Sequence, residues 1–392
     1  MSDLSTLVAL LVLACLGFFL GRRRAVASVQ GDTRRLHSRP NYHGWAVALC
    51  ALCPVLVLLI PWPEGYSFAK PAIIGVLALC GLILALGRLD AEFRARNLVE
   101  KIVSGGLILA ACIAIVTTAG IVASMLFETR NFFIQYDWKA FFFSTSWVPR
   151  FQGGSELGIL PLLWGTLYIS FIALLFAVPV GLFAAIYLSE YATRPIRSVV
   201  KPLIEILAGI PTIVYGLFAL TTVGPLLRDY FAQPLGFGNS GSSVMTAGLV
   251  MGIMLIPFVS SLSDDIIAQV PQTLRDGSLG LGATKSETIR RVVLPAALPG
   301  IVGAVLLAAS RAIGETMIVV LGAGAAAKLS LNPFEAMTTV TVKIVGQLTG
   351  DTDFAAPETL VAFALGLTLF ALTLCLNVVA LIIVRKYREH YE

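Results

Sequence analysis

Apolar residues along this chain run together in long blocks separated by short charged segments, a pattern longer than the amphipathic periods of soluble helices or strands. About nine blocks reach or approach the roughly 18 residues that cross a bilayer as a helix. They predict spans near 4–20, 45–61, 71–87, 103–127, 160–188, 202–226, 243–262, 299–324 and 360–384. Basic residues collect in alternate intervening segments. Arg22, Arg23, Arg24, Arg34, Arg35 and Arg39 follow the first span; Arg88, Arg94, Arg96 and Lys101 follow the third. Arg194, Arg197 and Lys201 follow the fifth, Lys285, Arg290 and Arg291 the seventh, and Arg385, Lys386 and Arg388 end the chain. The positive-inside rule puts these segments and the C-terminus in the cytoplasm. The N-terminus and the segments near 62–70, 128–159, 227–242 and 325–359 are then outside.

Composition agrees with this solvent. The chain of 392 residues is 57% apolar and 13% charged, with a mean hydropathy of +0.86, too little charge to coat a soluble globule of this length. Its 35 glycines and 19 prolines are compatible with bundled membrane helices, whose neighbours satisfy freed backbone groups. The expected fold class is therefore an all-α, polytopic membrane bundle. Asp3 precedes the first block and three arginines follow it, the reverse of a secretory leader, so this block is expected to be a retained anchor. Cys15, Cys50, Cys53, Cys80, Cys112 and Cys375 all fall inside apolar blocks, and Cys50-x-x-Cys53 reads as lipophilic packing, not as a metal or redox motif. Membrane lipid is an expected partner, nucleic acid is not.

The run Leu274–Pro295 breaks the apolar pattern. Pro271 suits the start of a short helix, and Gly280 and Gly282 supply the freedom to end it. Thr284 with Glu287 three residues on forms a capping box for a second helix, whose stripe is Ile289, Val292 and Val293, before Pro295 opens the next span. The predicted result is a cytoplasmic helix-turn-helix leaving Arg275, Asp276, Lys285, Arg290 and Arg291 open to water or a partner. An interfacial loop lying on the membrane fits the spacing equally well.

A resemblance decides between them. Binding-protein-dependent ABC importer permeases carry Glu-Ala-Ala, three residues, Gly, nine residues, Ile-x-Leu-Pro. This chain is similar at identical spacing: Asp276-Gly277-Ser278, then Gly282, then Val292-x-Leu294-Pro295. The resemblance implies the type I importer fold, with a coupling helix within residues 263–298 that docks on a cytoplasmic ATPase dimer. Arg275, Asp276, Gly282, Thr284, Glu287, Leu294 and Pro295 are its candidate coupling residues. Lys285-Ser286 has the ending of a phosphate-binding loop, but Leu279 and Thr284 stand where its glycines belong. No cofactor is therefore expected in this chain, which is read as a non-enzyme; ATP and magnesium would be bound by the partner.

Arg311 and Glu315 stand inside the predicted span 299–324, four residues apart, where a central ionised residue costs about 2.5–3.5 kcal/mol. Gly300, Ala304, Ala308, Ala312 and Thr316 form a small-residue stripe beside them, which points the charged face into the bundle. Two readings stay open: a mutual ion pair that fixes packing, or a forked Arg311 donor for a passing oxyanion, with Glu315 positioning it or gating. Ser310-Arg311-Ala312-Ile313-Gly314-Glu315-Thr316-Met317 resembles the Arg-Ala-x-Gly-Glu-Thr-Met of phosphate importer permeases. Glu205–Leu217 and the stretch from Gly165 through Tyr191 resemble the same group, the C-type permeases of the phosphate-specific transport system. The resemblance implies phosphate as cargo, a second similar permease chain and an outer phosphate-binding protein, in a bacterial inner membrane. Sulfate, molybdate and phosphonate permeases are the alternatives within the class; a secondary transporter is the alternative outside it. The expected organisation is an extension at 1–100 with about three spans, a first core helix and outer loop at 101–155, and a permease core at 156–392.

Overall fold

A computed structural model describes residues 3–53, 69–90, 92–150, 154–350 and 356–388. Residues 54–61 of the second predicted span, most of the outer segment at 62–70 and residues 351–355 lie outside the described set. Among the described residues the regular structure is helical apart from one two-residue strand pair, Trp147–Val148 with Glu156–Leu157. In chain order the helices are α1 (Asp3–Ser28), α2 (Pro40–Leu52), α3 (Ala69–Gly87), α4 (Ala95–Gln135), α5 (Trp138–Phe143), α6 (Leu160–Tyr191), α7 (Arg194–Ala208) and α8 (Thr212–Ala232). There follow α9 (Val244–Ala268), α10 (Gln272–Gly280), α11 (Lys285–Ile313), α12 (Met317–Gly322), α13 (Val340–Gly350) and α14 (Pro357–Arg388). Among the described residues six helices are long and apolar enough to cross a membrane, and α7 with α8 makes a seventh if counted as one broken span. The described part of α2 and the apolar part of α3 fall short of that length, which separates this count from the nine apolar blocks.

Two compact units divide the chain, Met1–Gly120 and Ile121–Glu392. In the first, α1, α2 and α3 close on Leu10, Val47, Ala51, Ile74, Ala78 and Leu82. In the second, Ile169, Ala173 and Ala177 of α6 pack against Ala247, Met251 and Leu255 of α9, with Ile318 and Val319 of α12 completing the layer. Lipid tails are as apolar as these side chains, so the contact depends on close fit, not on escape from water. Gly252 allows that fit: a Cβ there would stand 3.0 Å from the Ala173 carbonyl oxygen and from the Phe176 ring. A second cluster joins Phe132, Phe141, Trp147 and Leu157 to Leu360 and Leu365 of α14. A third, at the α10 end of the bundle, holds Ala185, Ile267, Val270, Val293, Ala297 and Ile301.

Proline shapes the long helices. The predicted straight span 202–226 is instead broken at Gly209-Ile210-Pro211, and α7 meets α8 at 85°. Pro211 has no N–H, and its ring pushes the preceding residue out of the helical region. Released from the span, α7 is amphipathic, with Ile196, Val199, Leu203 and Ile206 exposed on one face. Elsewhere proline widens the helix without breaking it. π turns at Ala219–Val223 and Ile289–Val293 each end two residues before a proline, Pro225 and Pro295. Their closing bonds run from the Gly224 N–H to the Ala219 carbonyl and from the Leu294 N–H to the Ile289 carbonyl, a wider turn that relieves the ring's clash with the carbonyl four residues back. The helix begun at Lys285 therefore continues into the span, so the predicted separate second helix does not exist.

Replacing Gly252 by Leu is expected to force α6 and α9 apart at a cost of about 1–3 kcal/mol, read as a lower Tm of the detergent-purified protein.

Candidate functional site

The segment between α9 and α11 builds itself from local bonds. Pro271 precedes α10, and at the other end Gly282 takes φ +87°, a left-handed conformation that costs glycine nothing. The Ala283 N–H donates to the Ser278 carbonyl and the Gly282 N–H to the Leu279 carbonyl, the paired bonds of a Schellman ending. Two residues later the capping box forms: the Thr284 N–H donates to Glu287 Oε2 at 2.9 Å, and the Glu287 N–H to Thr284 Oγ1 at 3.3 Å. Ser278 and Thr288 hydroxyls meet at 2.9 Å and tie α10 to the start of α11. Asp276 is exposed and accepts from Gln272 Nε2, while Leu274, Leu279 and Leu281 present apolar side chains outward. Leu294 packs against the Val293 cluster and Pro295 is exposed at the helix surface.

Arg275 does not face water, contrary to the expectation from its position in a charged run. Its side chain is 13% exposed; Nη2 donates to Glu190 Oε1 at 2.9 Å and to the Ile267 carbonyl at 2.8 Å, and Nη1 donates to the Val270 carbonyl at 2.8 Å. The carbonyls at a helix end lack intrahelical donors, and the guanidinium supplies them. Arg275 thus fastens α10 to the end of α9 and to the last turn of α6. A cleft of about 530 Å³ opens beside it, lined by Glu190, Arg197, Gln272, Arg275 and Lys285. Lys285 Nζ stands over the Tyr191 ring at 5.0 Å from its centroid.

A second tie was not foreseen. Asp264 of α9 is 1% exposed and takes both oxygens to Arg197 Nη2 at 2.9 Å, with Lys201 Nζ at 2.8 Å and also on Asp265 at 3.1 Å. Arg197 and Lys201 are one helical turn apart on the polar face of α7, so a single buried carboxylate holds that face. The residues had served only as markers of topology. Their signal was the pair Asp264-Asp265 closing an apolar block opposite Arg197-x-x-x-Lys201.

At the far end of α11, about 40 Å from Thr284 by helical rise, the predicted i, i+4 pair is dismantled. Gly314 ends the helix, so Glu315 leaves the face of Arg311. The Glu315 carboxylate instead accepts the N–H groups of Thr316 at 3.1 Å and Met317 at 3.0 Å, capping α12. The Glu315 carbonyl accepts from the Thr341 hydroxyl at 2.9 Å, linking the break to α13. Among the described residues Arg311 has no carboxylate partner; its guanidinium lies 5.9 Å from the Phe258 ring centroid. Each charge is matched to a helix end, Arg311 in the last turn of α11 and Glu315 before the first of α12, as helix dipoles favour. Ala304, Ala308 and Ala312 of the small-residue stripe are buried as expected, but Arg311 is exposed on the open side of this chain.

The segments 227–242 and 325–339, expected outside, hold one another. Phe237 stacks on Phe334 at 5.8 Å, and Asn332 Nδ2 donates to the Phe237 carbonyl at 2.7 Å. Lys328 bonds Glu335 and keeps that carboxyl below the usual carboxylate range. The segment 325–359, expected outside, contains α13, an 11-residue helix packed against α14 and α6.

Residues 177–389, which hold Glu190, Arg197, Asp264, Arg275, Arg311 and Glu315, match the family model described as binding-protein-dependent transport system inner membrane component. The chain belongs to that family: it is a permease subunit of an ATP-binding-cassette importer, a multi-pass inner-membrane protein. A second model, described as phosphate ATP-binding cassette transporter, matches residues 7–82, within the extension expected at 1–100. Among curated relatives, the phosphate transport system permease protein PstC of Mesorhizobium japonicum is 33% identical over 305 residues, covering 74% of this chain and 91% of the relative. The probable ABC transporter permease protein YqgH of Bacillus subtilis is 31% identical over 290 residues, covering 73% and 91%. A bacterial alginate ABC transporter solved with its alginate-bound periplasmic protein superposes with a TM-score of 0.47 at 18% identity, covering 74% of this chain and 94% of its own.

Arg197→Gln combined with Lys201→Gln strands the buried Asp264 charge and is expected to destabilise the second unit by about 3 kcal/mol. Adding Asp264→Asn restores most of the loss, as thermal melts of the three variants would register.

Proposed function

We propose that this permease carries inorganic phosphate inward. The observation that supports this most directly is the broken helix at Gly314, which leaves the Arg311 guanidinium, at the edge of this chain, without a carboxylate partner among the described residues. A planar fork of N–H donors in a low-dielectric setting pairs bidentately with a tetrahedral oxyanion and adapts poorly to a neutral cargo. Glu315 acts through the backbone, holding the break open by capping α12. The relatives named phosphate transport system permease agree in cargo. In this reading Arg311 faces a second, similar permease chain across the path, and an outer phosphate-binding protein delivers the anion to the joined segments around Phe237 and Phe334.

The α10 side faces the cytoplasm. There α10 docks on an ATPase dimer that binds ATP and magnesium, with Asp276 and the exposed leucines as its contact face, while this chain holds no nucleotide. Arg275, Glu190 and the Ser278–Thr288 bond pass displacement of α10 to α6, α9 and α11, since each ties the short helix to a long one. Gly282, Thr284, Glu287, Leu294 and Pro295 keep the geometry of that joint rather than touch the ATPase.

In proteoliposomes containing the complete transporter, Arg311→Ala is expected to lower phosphate uptake about tenfold to a hundredfold, the worth of a charged bidentate contact, with Arg311→Lys retaining part. Uptake that is unchanged, or that follows sulfate or molybdate in competition, would reject phosphate recognition by Arg311. Asp276→Lys with Gly282→Pro is expected to release the ATPase during purification, because proline cannot take φ +87° and the lysine reverses the exposed charge.

A further inference from the structure

The cleft beside Arg275 is walled by helices that do not close it. Ser189 and Glu190 line it from the last turn of α6, Arg197 from α7, Arg275 from α10 and Lys285 from the first turn of α11, around a volume of about 530 Å³. Small-molecule sites span roughly 300–1,000 Å³, so the space is of ligand size. Its walls carry three cations, Arg197, Arg275 and Lys285, against the single carboxylate of Glu190.

Those groups are unequally committed. Arg275 is spent: its Nη atoms bond Glu190 and the carbonyls of Ile267 and Val270. Arg197 uses only Nη2, at 2.9 Å from both oxygens of Asp264, which leaves Nε and Nη1 without a partner among the described residues. Lys285 Nζ stands over the Tyr191 ring and, among the described residues, has no carboxylate. The Ser189 hydroxyl has no hydrogen-bond partner among them either. Open donors therefore line one cleft from α6, α7 and α11, and two of the three are cationic. A carboxylate offers its acceptors in one plane, whereas a phosphate group turns oxygens toward all three walls and matches a guanidinium edge bidentately.

We propose that this cleft binds a phosphate group on the α10 side of the membrane, held by Arg197, Lys285 and Ser189. Inorganic phosphate, a small phosphate ester and a lipid headgroup share that chemistry. Among the described residues no hydrogen bond or ion pair joins α7 to α11, so the bound anion supplies the link. Leu279 lines the cleft and is also one of the exposed leucines through which α10 is proposed to meet the ATPase. Occupancy therefore stiffens the joint and slows ATP hydrolysis by the assembled transporter. The inference rests on the proposed docking of α10 and is independent of Arg311 and of the cargo.

The test uses the complete transporter in nanodiscs, which leave both faces open, without the binding protein. Equilibrium dialysis with radiolabelled inorganic phosphate is run in an Arg311→Ala background, so that anion held at the proposed path is not counted. Lys285→Glu is expected to weaken binding at least tenfold, the worth of one charge-assisted contact, and Lys285→Arg to keep it. A glutamate suits the first turn of a helix, so the reversal leaves α11 folded. Ala268→Phe, which narrows the cleft and leaves every cation in place, is expected to remove the same binding. With Arg311 intact, saturating phosphate is expected to lower ATPase activity severalfold in the wild type and to leave Lys285→Glu unaffected. Glycerol 3-phosphate and AMP, added as competitors for the Lys285-dependent fraction, distinguish a lipid headgroup and a nucleotide from the free ion. Equal binding by the wild type and Lys285→Glu would overturn the proposal. So would binding by the permease chain alone that vanishes in the assembled transporter, since the ATPase then fills the cleft. Cleft binding that survives Arg311→Ala while uptake is lost keeps failure of this site distinct from failure of the proposed cargo.

Discussion

A membrane interior holds no water to accept a backbone proton or to screen a charge, so each interruption of a helix there must be answered by a side chain. The second unit of this protein interrupts its helices at Gly209–Pro211 and at Gly314–Thr316, and ends α9 just before a sharp reversal. The answers are specific. Glu315 caps the helix that restarts after Gly314, and Arg275 closes the carbonyls left at the end of α9. Asp264 holds the helix that Pro211 has turned aside. Charges that look misplaced in an apolar chain are the means by which its broken helices stay ordered.

These same residues connect the two ends of the mechanism. α11 runs unbroken from the capping box at Thr284 to Arg311, a rigid element about 40 Å long that begins at the joint proposed to face the ATPase and ends at a guanidinium that has no carboxylate partner among the described residues. Its π turn before Pro295 absorbs the proline without a hinge. In the proposed coupling, a displacement of α10 reaches the region of Arg311 as a shift of one helix, with no flexible linker between.

Residues differ in how legible they were. The capping box at Thr284 and Glu287 and the glycine ending at Gly282 were readable because their bonds span three to five residues. The break after Pro211 was half visible: proline in an apolar block signals a kink, but whether a bilayer-length block bends slightly or by 85° depends on what receives the displaced half, here Asp264 on another helix. The Arg311–Glu315 spacing misled because it presumes a continuous helix through Gly314, and glycine in membrane helices gives no reliable sign of a stop. Arg275 misled in the other direction, since a basic residue in a charged run looks solvated until the carbonyls it reaches are placed.

Sequence alone determined the solvent, the helical class, the order of the spans and the spacing that marks an importer permease. Each of these rests on composition or on contacts close along the chain. Tertiary structure decided which charges are free and which are committed. Arg275 and Asp264 are consumed by long-range bonds to Glu190 and to Arg197 and Lys201, whereas Arg311 is released because Glu315 turns to cap a neighbouring helix. The reason is the cost of an unpaired group in a medium without water: every buried charge takes a partner within reach, and reach is a property of the folded chain.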